Sequence, residues 1–327
     1  MITPAQDRAA ARKVLLDCDP GIDDALAIAF ACGHPGLELL GLTTVAGNVD
    51  LTKTTANALS VLEFVGGPDV PVVAGCPAPL LAPVLDASQV HGESGLGAAV
   101  LPAPAAVARD GHAVDFLIDT IAASPGEITL VATGPLTNIA LAVRREPRLV
   151  RQVRDFVIMG GSAGRGNVTP AAEFNIAADP EAAAIVFGAG WTVTMVGLDV
   201  THQALATAGV QERMRGLGRL GADLLLPALS GYRHETPAVA GRAPAADGPA
   251  VHDVCAVALV AAPGLFGCVP ARVEVETIGR WTAGMTVTDF TAPEDERNAL
   301  VAMSVDAPGF WDLVLDAYAR APAGSSA

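Results

Sequence analysis

Short runs of Val, Ile and Leu alternate with longer alanine-rich stretches along most of this chain, and that alternation constrains the fold more than any other feature. A strand apolar on both faces needs a helix over each face, and a helical crossover carries the chain back to a parallel neighbour. The pattern predicts strands over Val14 to Asp17, Glu38 to Val45, Val70 to Ala74, Ile128 to Ala132, Phe156 to Met159 and Thr192 to Gly197. Helices are predicted over Asp23 to Cys32, Leu51 to Val65, Val114 to Ala123, Pro135 to Arg144 and Pro180 to Gly188. After Val200 the alternation weakens. Helical patterns cover Val210 to Leu229, His252 to Ala261 and Pro308 to Ala319, with strand-like Val269 to Glu276 and Met285 to Phe290. The expected fold class is α/β, with a mostly parallel central sheet flanked by helices, open and Rossmann-like. With 51% hydrophobic and 17% charged residues in 327, a single core is expected over residues 13–321, with flexible segments at 1–12 and 322–327.

Composition also excludes function classes. The net charge of -15 repels phosphate backbones and anionic lipid, so neither nucleic acid nor a membrane surface is an expected partner. The charge-free stretches Ala182 to Leu198 and Val254 to Pro270 are too short to span a bilayer and are broken by glycine or proline. The N-terminal MITPAQDRAAARK lacks an apolar core and a cleavage pattern, so a cytoplasmic location is expected. Cys18, Cys32, Cys76, Cys255 and Cys268 are odd in number, lack CxxC spacing and read as small buried hydrophobes. Two loops, Cys76 to Ala106 and Glu235 to Pro249, are long enough to cover a site.

The segment VLLDCDPGIDDALAIAF ends a buried strand at Asp17 and opens a helix a few residues later, crowding Asp17, Asp19, Asp23 and Asp24 at the junction. Carboxylates so close repel one another. A cation relieves that repulsion, and the carboxyl ends of strands are where open parallel sheets bind ligands. Oxygen-only ligation suits Ca²⁺ or Mg²⁺, and the irregular donor set favours Ca²⁺. The bland alternative, that these residues only cap the helix and hold the turn, applies most to Asp19.

This opening resembles the inosine-uridine nucleoside hydrolase family, also called ribonucleoside hydrolases. So do VAGN (Val45 to Asn48), HGESGLG (His91 to Gly97), ATGPLTNIA (Ala132 to Ala140), MGG (Met159 to Gly161), GNVTPAAEFNIAADPEAA (Gly166 to Ala183) and VHDVCAVA (Val251 to Ala258). The resemblance implies a nucleoside hydrolase-like fold and hydrolysis of the N-glycosidic bond of ribonucleosides to ribose and free base, as in nucleoside salvage. It further implies one Ca²⁺ held by Asp17, Asp24, the Thr133 carbonyl and Asp253, with Asp19 behind them. Asp17 would take a proton from the metal-bound water. Asp23, Asn48, Asn167, Glu173 and Asn175 would grip ribose hydroxyls, with Met159 under the sugar and Phe174 in the substrate-binding set. His252 and His91 match base-side positions, His252 as candidate leaving-group acid. A homodimer or homotetramer is implied as well.

The chemistry accounts for those residue types. Cleavage passes through an oxocarbenium-like sugar, which nearby carboxylates stabilise, and the departing base needs a proton donor active near neutral pH. His34, His112 and His202 read as structural, and His234 stays open beside Tyr232 and Arg233. Thr133 is available to cap the helix at Pro135. The Trp residues at 191, 281 and 311 read as core, a role open to Phe174 too. The glycines of MGGSAGRGN do not make a phosphate loop, because Thr169-Pro170 follows where the helix should start.

Two other readings compete. A strand-terminal D-x-D also opens phosphatases of the haloacid dehalogenase type, but the only lysines, Lys13 and Lys53, lie upstream of where that chemistry needs one. A non-catalytic nucleoside or ribose binder would keep the cleft without the chemistry. Cys18 where threonine is common, Ala283 in a T-A-G segment, and the alanine- and proline-rich 235–249 loop all depart from the family pattern. Purine against pyrimidine preference therefore stays open.

Overall fold

A computed structural model of the chain describes residues 11–85, 87–232 and 248–321. Among the described residues nine strands form one sheet: β1 Arg12–Cys18, β2 Leu37–Thr44, β3 Val72–Ala74, β4 Ile128–Ala132, β5 Asp155–Met159, β6 Val193–Val196, β7 Phe266–Val275, β8 Thr286–Asp289 and β9 Ala299–Val305. Their order is β3-β2-β1-β4-β5-β6-β9-β7-β8. Pairing is parallel from β3 through β9, and β7 joins β9 and β8 antiparallel. The strand order reverses between β1 and β4, which opens a crevice at their carboxyl ends.

The α/β expectation holds, and the six strands predicted up to Gly197 are all present. Val14, Leu15 and Leu16 are fully or almost fully buried, as a central strand covered on both faces must be. The helix Ile22–Gly33 that follows β1 is apolar nearly all round because it packs against the helices Leu51–Phe64, Asp253–Ala261 and Ala307–Arg320. Burying a Leu, Ile or Phe side chain of this kind contributes about 1.5–3 kcal/mol. This rigid helix therefore fixes whatever its first turn carries.

Several expectations are corrected. The strand β9 was not expected at all. The pattern over Val210 to Leu229 is not one helix but Ala208–Arg215, a π-type stretch Leu220–Leu225 and Leu226–Gly231. Trp191 and Trp311 are buried, but Trp281 is 77% exposed in the turn between β7 and β8. Cys268 is exposed and Cys32 half-buried, so only Cys18, Cys76 and Cys255 behave as buried hydrophobes. Residues 1–10, 86, 233–247 and 322–327, with them most of the two terminal segments, His234 and almost all of the 235–249 loop, lie outside the described residues. Among the described residues no helix is long and apolar enough to cross a membrane.

Candidate active site

Asp17 is the penultimate residue of β1, at its carboxyl end, Thr133 just follows β4, and Met159 ends β5. Gly21, Asp23 and Asp24 begin the helix Ile22–Gly33. Asp24 reaches back to accept from the Gly21 amide at 3.0 Å, so the capping role falls to Asp24 and not Asp19. Gly21 is glycine because a Cβ there would stand 2.5 Å from His91 Nδ1 and 2.6 Å from Asn48 Nδ2. Gly47 is glycine because a Cβ would collide with the Asp19 carboxylate.

Four carboxylates, Asp17, Asp19, Asp24 and Asp253, are buried together. Asp17 Oδ1 accepts from Thr43 Oγ1 at 2.5 Å and Asn138 Nδ2 at 2.8 Å. Asp19 Oδ2 accepts from the Asn48 amide at 2.7 Å. Asp24 accepts from Thr133 Oγ1 at 2.8 Å, so Thr133 does not cap the following helix, which starts at Thr137 with Leu136 as its N-cap. Asp24 and Asp253, far apart in sequence, lie close enough for each to shift the other's carboxyl.

Burial dominates the electrostatics. It raises Asp17 to about 7 against the hydrogen bonds from Thr43 and Asn138, and raises Asp24 to about 6. Asp19 and Asp253 are pushed well above the usual carboxylate range, first by burial and then by Asp24. Among the described residues no lysine or arginine lines the adjoining cavity. The buried oxygens Asp17 Oδ2, Asp19 Oδ1 and Asp23 Oδ1 have no hydrogen-bond partner among the described residues.

Unpartnered buried carboxylate oxygens, mutual repulsion and an all-oxygen donor set fit a hard divalent cation. The side chains do not close a cage of their own: among the described residues no three His, Cys, Asp or Glu groups converge on one point. The Thr133 carbonyl accepts from Asn175 Nδ2 at 2.8 Å, which occupies one of its two lone pairs.

Above this cluster lies a cavity of about 280 Å³. Asp23, Asn48, His91, Thr133, Met159, Asn167, Glu173, Phe174, Asn175, His252 and Asp253 all line it; Asp17 and Asp24 do not line it but are fully buried, Asp24 accepting from the lining residues Asn48 and Thr133. Phe174 thus faces the cavity instead of the core. Asp23 Oδ2 accepts from Tyr232 Oη and the His252 amide, both at 3.3 Å. Glu173 Oε2 accepts from the Gly161 amide at 2.8 Å, which ties the turn after β5 to the helix Phe174–Ala178 that Glu173 caps. Burial raises the Glu173 carboxyl, opposed by backbone amides and by His252.

His91 Nδ1 accepts from the Ile22 amide at 3.2 Å, so a neutral ring carries its proton on Nε2. His34 and His112 are structural, accepting from the amides of Gly36 and Val114. His202 lies edge-on to His252, ring centroids 5.8 Å apart.

Sequence reading missed Tyr232, Leu85, Gln89, Val90 and Val168 on the cavity wall and Thr43 and Asn138 beneath it. Asn138 lies inside the TGPLTN motif and Val168 inside GNVTPAAEFNIAADPEAA, so their signal was there; Leu85, Gln89, Val90 and Tyr232 lie in loops or in a helix of four residues, too short for a period to read.

A family model described as inosine-uridine preferring nucleoside hydrolase matches residues 14–312. The chain is 48% identical over 318 residues to the inosine-uridine preferring nucleoside hydrolase of Leishmania major, covering 94% of this chain and 98% of that one. It is 46% identical over 310 residues to the non-specific ribonucleoside hydrolase RihC of Klebsiella pneumoniae, covering 94% and 99%. Among solved structures it superposes on the purine-preferring ribonucleoside hydrolase from Gardnerella vaginalis with a TM-score of 0.87 at 34% identity, covering 95% and 99%.

Proposed function

Because the chain belongs to the inosine-uridine preferring nucleoside hydrolase family and is a nucleoside N-glycosidase, we propose that this cleft is its active site. In this reading it cleaves ribonucleosides to ribose and free base with Ca²⁺ held by Asp17, Asp24, the Thr133 carbonyl and Asp253. The single observation that carries the reading is the buried carboxylate cluster, which reaches a cavity walled by amides, carboxylates and histidines through Asp253. When bound, a divalent cation supplies Lewis-acid charge that acidifies water and orients vicinal hydroxyls.

The chain's own groups do the rest. Asp17, whose Oδ2 has no hydrogen-bond partner among the described residues, accepts a proton from the attacking water; a bound cation would lower its carboxyl and would acidify the water it serves as well. Asp23 Oδ1, unpartnered among the described residues, accepts from a ribose hydroxyl. Asn175 uses its Nδ2 on the Thr133 and Met159 carbonyls, which aims its Oδ1 as a further acceptor. Carboxylates at the cavity wall, Asp23 and Glu173 among them, stabilise positive charge developing on the sugar ring. His252 gives a proton to the departing base, and His91 donates its Nε2–H from the other side. Among the described residues no lysine or arginine lines the cavity for a phosphoryl group, and family membership sets aside both the phosphatase and the non-catalytic reading.

Relatives range from non-specific to purine-preferring by name, so base preference is read by assay. Ribose release from inosine, adenosine, uridine and cytidine is measured with EDTA and with Ca²⁺ restored. Ribose release lost with chelator and regained with Ca²⁺ is expected; no ribose from any of the four overturns the reading. A homodimer or homotetramer in the cytoplasm completes the proposal, the assembly being checked by light scattering.

A further inference from the structure

The short helix Leu198–Thr201 follows β6 at the same carboxyl edge of the sheet, and its last residue is a fully buried threonine among Leu198, Val200 and Ala204. A valine would fill that volume without a polar atom. A buried hydroxyl persists where it is hydrogen-bonded, and Thr201 Oγ1 lies 2.8 Å from His252 Nδ1. His252 lines the cavity and Thr201 does not; the Thr201 contact takes up Nδ1, and the other ring nitrogen, Nε2, is buried. The same residue is pinned at its backbone, where its amide donates to Asp23 Oδ2, and His202 packs edge-on against the ring.

We propose that Thr201 is a positioning residue for the reaction: its hydroxyl accepts the Nδ1–H of the His252 imidazolium, leaving Nε2–H as the donor to the leaving base. The proposal rests on the assignment of His252 as leaving-group acid made above. In the step it serves, the C1′–N bond breaks with its electron pair leaving on the base. The Nε2 proton of the His252 imidazolium passes to that base, leaving a neutral ring whose Nδ1–H stays on Thr201, and water adds to C1′ with its proton going to Asp17. Thr201 gives up no atom; it fixes which edge of the ring can act.

The test is leaving-group dependence. Nitrophenolate departs from 4-nitrophenyl β-D-ribofuranoside without being protonated, whereas a nucleobase needs its proton. Thr201→Val is expected to lower kcat on inosine and uridine by about 10- to 100-fold, with KM and the nitrophenyl riboside rate within about threefold of the unmodified enzyme. Thr201→Ser, which keeps the hydroxyl, restores nucleoside turnover to within about threefold. Equal losses on both substrate classes, or none on nucleosides, overturn the proposal. If Thr201→Val does not fold, Thr201→Ala against Thr201→Ser makes the same comparison.

His252→Ala, measured alongside, separates the two failures. Selectivity in His252→Ala without selectivity in Thr201→Val refutes the role of Thr201 alone. No selectivity in either refutes the acid assignment and the positioning role with it.

Discussion

At the amino end of β1, Lys13 donates to Glu127 at 2.6 Å on the surface; at the carboxyl end of the same strand, Asp17 is buried among three more aspartates. The two ends apply opposite charge rules. Lys13 and Glu127 hold each other charged: the hydrogen bond raises the lysine and lowers the glutamate. Burial at the other end raises Asp17 to about 7, with no lysine or arginine lining the cavity among the described residues. Water screens the first arrangement, so it can be altered with little consequence. The second is held in place by the scaffold against its own repulsion, which is how a site differs from a decorated surface.

The largest break in that contrast comes from Asp17→Asn. The amide keeps the shape but cannot accept the proton of the attacking water, and a general base contributes about 10²- to 10⁴-fold. Turnover on inosine or uridine is expected to fall by at least about 10³-fold, while calorimetry still detects nucleoside binding. Turnover within about tenfold of the unmodified enzyme would make the cluster structural only.

Next in size is the response to chelation and pH. Asp17 and Asp24 have folded pKa values of about 7 and about 6, above those of an unfolded chain. The folded protein therefore holds protons that the unfolded chain has released. That contribution is complete below the unfolded values, near 3.9, and is lost as pH rises through the folded ones. In EDTA the thermal midpoint should fall between pH 5 and pH 8. Adding Ca²⁺ should raise it most at pH 8, where fewer protons must be displaced. A midpoint in EDTA that rises steadily across this window would contradict the raised values.

The same contrast explains what could be read without coordinates. The buried strands β1, β4, β5 and β6 announce themselves as unbroken apolar runs between turn residues, and Asp17, Asp24 and Asp253 stand beside such runs. The edge of the sheet is harder. Ala299–Val305 carries alanine and serine between its apolar residues and follows an acidic turn, so β9 lacks a clean period until β6 and β7 close on it. Trp281 looks like core by composition, yet it sits in the turn joining β7 to β8 with Arg280 over its ring. Tyr232 reaches Asp23 across 209 residues of sequence, and no local pattern reports a contact set by the tertiary fold.

A smaller effect sharpens the contrast from the packing side. Gly47→Ala drives a methyl group into the Asp19 carboxylate, and overpacking of this kind costs about 1–3 kcal/mol. The urea midpoint should drop accordingly. Because Asn48 donates its amide and Nδ2 to Asp19 and lines the cavity, KM for ribonucleosides should rise as well. An unchanged KM alongside reduced stability would show that the Asp19 turn supports the fold but does not set the substrate's position.

The smallest effect belongs to the exposed end of β1. Lys13→Ala removes the partner of Glu127, a pair whose side chains are 35% and 59% exposed. Screening and the entropy of holding two long side chains together leave such a pair little net weight, so melting midpoints of variant and parent should coincide within error in moderate salt. Kinetics should coincide too, since the rest of the strand separates Lys13 from the cleft. Four residues along the same strand, Asp17→Asn changes charge by the same single unit and is expected to abolish turnover. If both variants perturbed activity alike, the division between a screened surface charge and a confined one would not describe this protein.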